Sequence, residues 1–242
     1  MNVAASANAP LPIQSQLKKE ARYGCSICGC PLLEYVQFIP SETPGAYLPE
    51  NMIAICPAHT LKFVRNELLA TVLASFKAKP YNKLNENKPF ALASPELTVN
   101  IAKTKFINTY RLLSVDDFDL ITIRKEDNSY LLLDLNFFDS QNNLIAAVSE
   151  NSWITDKKQV WNIDYEPGYM KIQNKKRQIL FEVKIESGEI FIVADMYYNG
   201  IPVKITRDQV LFGGIEEGAE MKGTTLKNYE TAISFQSDKW LT

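Results

Sequence analysis

Alternating apolar and polar residues dominate the chain from Glu96 to its end. An apolar side chain at every second position is typical of a strand with one buried face. Turn signals separate these runs, and Asn199-Gly200 is the clearest of them because this dipeptide favours a two-residue hairpin loop. Short strands at a spacing of about 8–12 residues are typical of all-β domains. We therefore expect residues 96–242 to form a mostly antiparallel β domain, which is a sandwich, a barrel or a β-roll.

The hydrophobic period changes to that of a helix in the segment that ends at Pro80. Apolar residues there recur three or four positions apart, at Leu61, Val64, Leu68, Leu69, Val72, Leu73 and Phe76. This spacing predicts helical structure over residues 59–79, interrupted once near Arg65. Residues 32–39 and 51–55 have the composition of short strands. The sequence thus predicts a strand–strand–helix unit followed by a β domain, and an α+β fold for the whole chain.

A polar segment rich in Asn and Lys separates the two patterns. Residues 81–95 have no sustained apolar period, so we predict a linker there. At the other end, residues 1–15 are small and polar and contain two prolines, which predicts a flexible tail. A short basic helix is expected to follow that tail. The predicted first domain therefore covers residues 16–80, and the β domain covers residues 96–242.

The composition is that of an ordinary globular protein, with 46% hydrophobic and 22% charged residues. Residues 1–90 contain nine Lys and Arg against six Asp and Glu, in a chain whose formal net charge is -2. This local excess is small for a nucleic-acid-binding face, which usually carries a denser positive charge. No apolar run is long enough to cross a bilayer, and residues 1–9 lack the basic start and apolar stretch of a secretory signal. We therefore expect a cytoplasmic protein without membrane contact.

Four candidate metal ligands occur as two pairs with the same spacing. Cys25 and Cys28 form a C-x-x-C pair, and Cys56 and His59 form a second pair after 27 intervening residues. Zinc favours tetrahedral thiolate and imidazole ligands, and two residues between ligands allow one tight turn to present both side chains to one ion. Clustered cysteines with a histidine also fit a reducing compartment better than a disulfide framework. The sequence predicts a structural zinc ion and no small-molecule cofactor.

The remaining cysteine, Cys30, leaves an alternative ligand set open. A Cys₄ site would release His59 for another role, and it would consist of Cys25, Cys28, Cys30 and Cys56. The single residue between Cys28 and Cys30 leaves little room for both thiolates on one ion. Chance spacing of buried cysteines is a further alternative, in which no metal is bound.

Residues 16–80 resemble the HNH endonuclease family, in the variant whose structural zinc is held by two knuckles. The matching motifs are Cys25-Ser-Ile-Cys28-Gly29 and Cys56-Pro-Ala-His59. Residues 135–148, with Trp153 downstream, are similar to the C-terminal β region of some bacterial HNH proteins. The resemblance implies a zinc-bound ββα domain. Family association also implies a bacterial system that acts on DNA, for instance in defence against mobile DNA.

The resemblance does not extend to the residues that carry out nuclease chemistry. In active members a histidine on the first strand deprotonates the attacking water, and further His, Asn or Asp side chains hold a divalent ion. Gln37 and Thr60 stand where the resemblance places the first and last histidines, while Asn51 keeps the middle position. The chain has one histidine, so zinc ligation by His59 leaves no imidazole to act as a base. Glu34 is the one plausible substitute base.

Three hypotheses of function follow from these residues. The first is a non-catalytic, zinc-binding HNH-like protein whose helix after His59 contacts a DNA backbone through Lys62 and Arg65, and whose β domain binds a protein partner. The second is a protein–protein interaction or structural module without nucleic-acid binding, such as a subunit or regulator of a larger bacterial assembly. The third is a divergent metal-dependent DNA endonuclease. The missing histidines favour the first two, so absence of enzyme activity is our leading expectation.

Overall fold

The structure is a computed structural model and describes residues 9–41, 47–84, 90–127, 129–155, 162–174, 177–214, 219–220 and 223–237. The chain divides into two compact units. The first comprises residues 1–90 and 151–153, and the second comprises residues 91–150 and 154–242. Few helices and many strands, most of them paired antiparallel, make up the described residues. The predicted α+β fold class is confirmed at this level.

The first unit contains helices and a two-stranded sheet. Its elements are α1 (Leu11–Glu20), β1 (Glu34–Gln37), β2 (Met52–Ile55), α2 (Pro57–Val64), α3 (Ala70–Ala78) and α4 (Tyr81–Leu84). A 3₁₀ turn at Pro49–Asn51 precedes β2. β1 and β2 pair antiparallel, with Glu34 opposite Ile55 and Gln37 opposite Met52.

Helices α2 and α3 lie in the segment in which the sequence predicts helical structure, with one interruption. Pro57 occupies the first turn of α2, where its missing N–H has no intrahelical acceptor to lose. Just after α2, Asn66 has a φ of 61°, a left-handed conformation that Asn tolerates better than most residues. The chain resumes helical structure at Ala70 and leaves it before Pro80.

Two boundaries differ from the sequence prediction. Helix α1 begins at Leu11 instead of Gln16, so the last part of the predicted tail is helical. Residues 81–84, which were predicted as linker, form α4, and Asn82 within it is buried. Buried Leu17 anchors α1, and α4 is held by hydrogen bonds to residues far away in sequence. Such tertiary contacts leave no trace in the local composition.

The second unit is built on two sheets. Its strands are β3 (Thr98–Ile101), β4 (Thr104–Ile107), β5 (Arg111–Val115), β6 (Phe118–Glu126), β7 (Tyr130–Phe138), β8 (Leu144–Ser149), β9 (Ser152–Thr155), β10 (Asn162–Glu166), β11 (Tyr169–Gln173), β12 (Ile179–Glu186), β13 (Glu189–Tyr198), β14 (Ile201–Ile205), β15 (Gln209–Phe212), β16 (Ala219–Glu220), β17 (Thr225–Lys227) and β18 (Ser234–Phe235). The first two residues of β9 group with the first unit.

The strand order explains how this unit is connected. One sheet has the order β18-β5-β6-β7-β8-β9. The other runs β10-β11-β12-β13-β14-β15-β16, and β3, β4 and β17 extend it because β3 pairs with β13, β4 with β3, and β17 with β4. The pairings β3–β13, β4–β17 and β5–β18 are parallel, and the meander from β10 to β16 is antiparallel.

The predicted period of two is visible in β13. Its residues Ile190, Ile192, Ala194 and Met196 are buried, and the residues between them are more exposed. β13 and β14 meet at Asn199-Gly200, where φ is 51° and 77°, as a two-residue hairpin turn with two left-handed positions requires. The clearest turn signal of the sequence is therefore a hairpin.

None of the helices in the described ranges combines the length and the apolar composition that a bilayer crossing needs.

Candidate metal centre

Four ligand atoms converge in the first unit. The Sγ atoms of Cys25, Cys28 and Cys56 and a ring nitrogen of His59 all lie within 4.8 Å of one another. Tetrahedral zinc with bonds of about 2.3 Å to sulfur places two sulfur ligands about 3.8 Å apart. Cys28 Sγ and Cys56 Sγ are 3.9 Å apart, and His59 Nδ1 lies 3.6 Å from Cys25 Sγ and 3.1 Å from Cys56 Sγ. The cluster could hold a metal ion.

The first knuckle is shaped by hydrogen bonds within its own turn. The Gly29 N–H donates to the Cys25 carbonyl over 2.8 Å, and the Ile27 N–H points to Cys25 Sγ at 3.4 Å. Gly29 has a φ of 80°, which a residue without Cβ adopts at little cost. An N–H directed at sulfur favours the thiolate form. The local sequence thus presents Cys25 and Cys28 on the same side of one turn.

The second pair is delivered by a strand and a helix. Cys56 directly follows β2, and His59 lies in the first turn of α2, where its N–H donates to the Cys56 carbonyl over 2.9 Å. The two knuckles are joined through Ser26, whose N–H and Oγ both donate to the Ala54 carbonyl, at 3.0 and 2.9 Å. The end of β2 is therefore fixed against the first knuckle.

The thiols influence one another's ionisation. Burial acts to raise the pKa of Cys25, but hydrogen bonds from Cys28, Cys56 and His59 outweigh it and hold that pKa well below its usual value. The hydrogen bond to Cys25 is the largest cause that raises the pKa of Cys28, and likewise that of Cys56. These hydrogen bonds thus favour one thiolate within the cluster and oppose the ionisation of further thiols. A divalent cation supplies the charge with which all three thiols can ionise, at the cost of releasing protons.

Cys30 is not one of the four clustered ligands, although its thiol forms a hydrogen bond with that of Cys56. It is a buried free thiol, as are Cys25 and Cys56, and its carbonyl accepts a hydrogen bond of 2.8 Å from the Cys25 N–H. The four-ligand group contains His59 and not Cys30. The structure therefore assembles the Cys₃His set rather than the alternative Cys₄ set.

The positions that correspond to HNH catalytic residues are not brought into this ligand group. Glu34 and Gln37 are the half-buried ends of β1, and Asn51 is half-buried in the 3₁₀ turn. Thr60 is buried, and its hydroxyl donates to the Cys56 carbonyl over 3.3 Å. That hydroxyl serves to pack the first turn of α2, so nothing in its geometry points to a second ion.

The two basic residues that the sequence singles out lie at the C-terminal end of α2, Lys62 in its last turn and Arg65 directly after it. Lys62 and Arg65 are exposed, and neither side chain has a polar partner among the residues that the structure describes. Leu61 and Val64, which alternate with them, are each 48% exposed. The end of α2 thus presents both positive charge and apolar surface to solvent. The helical periodicity of the sequence does not show which of its apolar residues are exposed.

Asn82 holds the first knuckle in place, and sequence reasoning missed it. Asn82 is 5% exposed, and its Nδ2 donates to the Arg22 carbonyl over 2.9 Å. The neighbouring Tyr81 N–H donates to the Ser26 carbonyl over 2.8 Å. Gly24 makes room for this contact, because a Cβ there would lie 2.4 Å from Asn82 Nδ2 and 2.6 Å from the Gly29 carbonyl oxygen. A glycine beside the knuckle was the one local sign of such crowding.

Comparison with protein-family models, curated proteins and solved structures finds no match in any of the three. The fold and the site therefore define the class of protein without help from relatives. It is an α+β protein with a Cys₃His cluster, suited to a metal ion, in its first unit and a two-sheet β structure in its second. The HNH resemblance stays a prediction that depends on the two knuckles.

Proposed function

We propose that residues 16–80 form a zinc-stabilised, HNH-like module that lacks nuclease chemistry and contacts a nucleic-acid backbone. The observation that carries the proposal is the position of the cluster. Its ligands lie on the first knuckle, at the end of β2 and in the first turn of α2, and the C-terminal end of α2 then presents Lys62, with Arg65 directly after it, to solvent. This order of elements is the one expected of a ββα-metal module.

Zinc is the metal that the donor set favours. Three thiols and one imidazole are soft or borderline ligands, which suit zinc and do not suit Mg²⁺ or Ca²⁺. The four ligand atoms all lie within 4.8 Å of one another, and a set of four protein ligands is typical of a structural site with no open position. The role of the ion is then to hold short elements together, since folding and metal binding are coupled in such units.

The absence of nuclease activity follows from the position of His59. The one histidine of the chain has its Nδ1 in the cluster. Neither Gln37 nor Thr60 can accept a proton from water near neutral pH. Loss of a general base typically lowers a rate about 10²–10⁴-fold. We therefore expect no cleavage of plasmid DNA with Mg²⁺ or Mn²⁺, and cleavage that disappears in Glu34→Gln would overturn the proposal.

The nucleic-acid contact depends on Lys62 and Arg65. Both are exposed cations without a polar side-chain partner in the described residues, so binding phosphate would break no existing ion pair. Such contacts give affinity without sequence specificity. Each phosphate neutralised contributes a slope of about −0.9 in the plot of log K against log salt concentration. Two contacts predict weak binding that is strongly reduced by salt.

Fluorescence anisotropy with a short DNA duplex, measured across a salt series, tests this contact. We expect the double variant Lys62→Ala, Arg65→Ala to bind more weakly. Its plot of log K against log salt concentration should be shallower by the contribution of about two phosphate contacts. The matched control is Lys103→Ala with Lys227→Ala, which removes two exposed cations from the second unit, each paired with a carboxylate. No binding at low salt, or an equal loss in both double variants, contradicts the proposal.

A protein contact by the same helix is a second candidate. The exposed pair Leu61 and Val64 favours it, because two large apolar side chains on the surface of one helix end are a common feature of interfaces. If DNA binding is absent, partners that are captured by the native chain and lost on Leu61→Ser with Val64→Ser would support this candidate. DNA binding that survives that double substitution supports the first.

A further inference from the structure

Strand β13 changes its neighbour in the middle of the larger sheet. On the side away from β12, Ile192 pairs with Ile101 of β3, and Ala194 pairs with Ile205 of β14. Both neighbouring strands end in turns at this point. Because β3 and β14 diverge here, the sheet opens next to Val193.

A cavity of about 320 Å³ lies at this opening, entirely within the second unit. Its residues come from β3, β12, β13 and the turns after β3 and β14. Ligand sites in proteins typically have volumes of about 300–1,000 Å³. The size therefore suits a small molecule and not a large cofactor.

The floor of the cavity is apolar. Phe191 is 41% exposed there, whereas its neighbours Ile190 and Ile192 are buried in the core. Val193 and Ala102 extend the apolar surface on the side of the opening. An exposed aromatic face in a concave site is suited to a flat apolar group.

The charged groups around this floor differ in the polar partners that they have. On β12, Lys184 Nζ pairs with Glu186 Oε2 at 2.9 Å, and Glu182 Oε2 accepts a hydrogen bond of 3.1 Å from the Tyr169 hydroxyl. Arg207 lines the opposite side, in the turn after β14. Its guanidinium has no polar partner in the part of the chain that the structure describes.

We propose that this crevice binds a small organic anion with a flat apolar body, such as an aromatic carboxylate. The carboxylate pairs with the Arg207 guanidinium, which can donate two parallel hydrogen bonds to it. The flat body lies on Phe191 and Val193. The carboxylates of β12 stand on the far side of β13 from Arg207, so they orient the anionic end towards the arginine. The site is independent of the metal centre.

Titration of the full-length protein by NMR with three compounds tests this assignment. They are 3-phenylpropionate, phenethylamine and acetate, which separate the contributions of the anion and of the ring. We expect saturable shifts at the crevice with 3-phenylpropionate and affinities at least about tenfold weaker for the other two, a difference of about 1.4 kcal/mol. Equal affinity for phenethylamine, or no shift with 3-phenylpropionate at 10 mM, overturns the proposal.

Two variants connect the binding to the named side chains. Arg207→Gln and Phe191→Ala should each weaken binding of 3-phenylpropionate about tenfold or more. Lys103→Gln is the matched control, because it removes a cation from the facing turn that already pairs with Asp208 at 3.3 Å. It should leave the affinity unchanged. A loss of affinity in Lys103→Gln equal to that in Arg207→Gln would show general charge attraction and would overturn the site.

Discussion

The two units of this chain bury their interiors in different ways. The first has two strands of four residues and helices of ten residues or fewer, and its interior combines buried apolar side chains such as Leu32 and Ile55 with three thiols and an imidazole. The second has strands of up to ten residues and a core of Leu, Ile, Val and Phe side chains. Apolar burial stabilises a domain roughly in proportion to area, and short elements bury little.

The difference teaches where each unit is vulnerable. A unit organised by a few ligands depends on chemistry at one point, so removal of one ligand affects the whole unit. A unit organised by many apolar contacts loses a limited amount of stability for each side chain removed. If this difference holds, loss of one metal ligand should unfold the first unit, whereas loss of one core side chain should only weaken the second.

Removal of the metal should have the largest effect on the stability of the first unit. We expect a single equivalent of zinc per chain, and we expect a strong chelator to remove amide protection from the first unit while protection in the second persists. Zinc binding to small structural sites is worth on the order of 10 kcal/mol, which exceeds the stability of most small domains. Hydrogen exchange with mass spectrometry, with and without chelator, measures each unit separately.

The ligand set provides its own control. Cys56→Ser should lose zinc and protection together, whereas Cys30→Ser should keep the zinc stoichiometry because Cys30 lies outside the four-ligand group. Protection of the first unit that persists in Cys56→Ser would mean that apolar packing suffices there. The contrast between the units would then be wrong.

A substitution that creates a cavity in the core of the second unit should have the next largest effect on stability. Phe181 is fully buried in β12, so Phe181→Ala should cost about 3–5 kcal/mol of the unfolding free energy. Zinc content should not change. Denaturant unfolding followed by Trp or far-UV signals, with metal analysis alongside, gives both quantities.

Phe191→Ala is the matched control for this substitution, since Phe191 is 41% exposed on the adjacent strand. It should cost far less than Phe181→Ala. Similar losses in both variants, or loss of zinc from Phe181→Ala, would contradict independent stabilisation of the units.

Crowding at Gly24 should have a smaller effect, confined to the metal centre. A Cβ would lie 2.6 Å from the Gly29 carbonyl oxygen, which cannot move without distorting the knuckle. Overpacking of this kind costs about 1–3 kcal/mol, so Gly24→Ala should release metal to a chelator faster than the native chain. Stopped-flow transfer of zinc to a coloured chelator measures the rate.

Asn82→Ala separates the two sources of this crowding. Adding it to Gly24→Ala removes the 2.4 Å clash with Nδ2 but leaves the clash with the carbonyl oxygen. The double variant should therefore release zinc to the chelator more slowly than Gly24→Ala alone. If the two changes are simply additive, the side chain of Asn82 does not touch Gly24 as described.

Low pH should have the smallest effect, at the end of the β unit. Hydrogen bonds from the Ser237 backbone, then from its hydroxyl, lower the pKa of Asp116 below its usual value. A lowered folded pKa means that the carboxylate stabilises the fold above about pH 4, the ordinary Asp value, and that this contribution is lost as pH falls through the folded pKa. The Ser237 amide should lose protection in that range.

Asp116→Asn should abolish this pH dependence and weaken attachment of residues 231–237, because it removes the charged acceptor of the two Ser237 hydrogen bonds. Asp208→Asn, which changes an exposed carboxylate paired with Lys103, is the control and should leave the profile of Ser237 unchanged. An unaltered profile in Asp116→Asn would assign the titration to another group.

Local patterns account for the parts of the structure that were predicted well. Alternation within β13, the Asn199-Gly200 turn and the break after α2 depend on residues that are adjacent in sequence, so short-range sterics specify them. The helical start at Leu11 and the helix at residues 81–84 were missed. The helix at residues 81–84 is held by hydrogen bonds to residues far away in sequence, which no local window contains, whereas the start at Leu11 has a local signal in the proline of its first turn.

The sequence by itself determined which side chains can bind a metal, because two-residue spacing within Cys25–Cys28 and Cys56–His59 is a local property. Tertiary structure decided that the two pairs meet within 4.8 Å and that Cys30 stays outside them. It also decided that Asn82 fastens the knuckle and that β13 opens a crevice beside Arg207. Each of these depends on bringing together segments tens of residues apart, and only the packing of the folded chain specifies that.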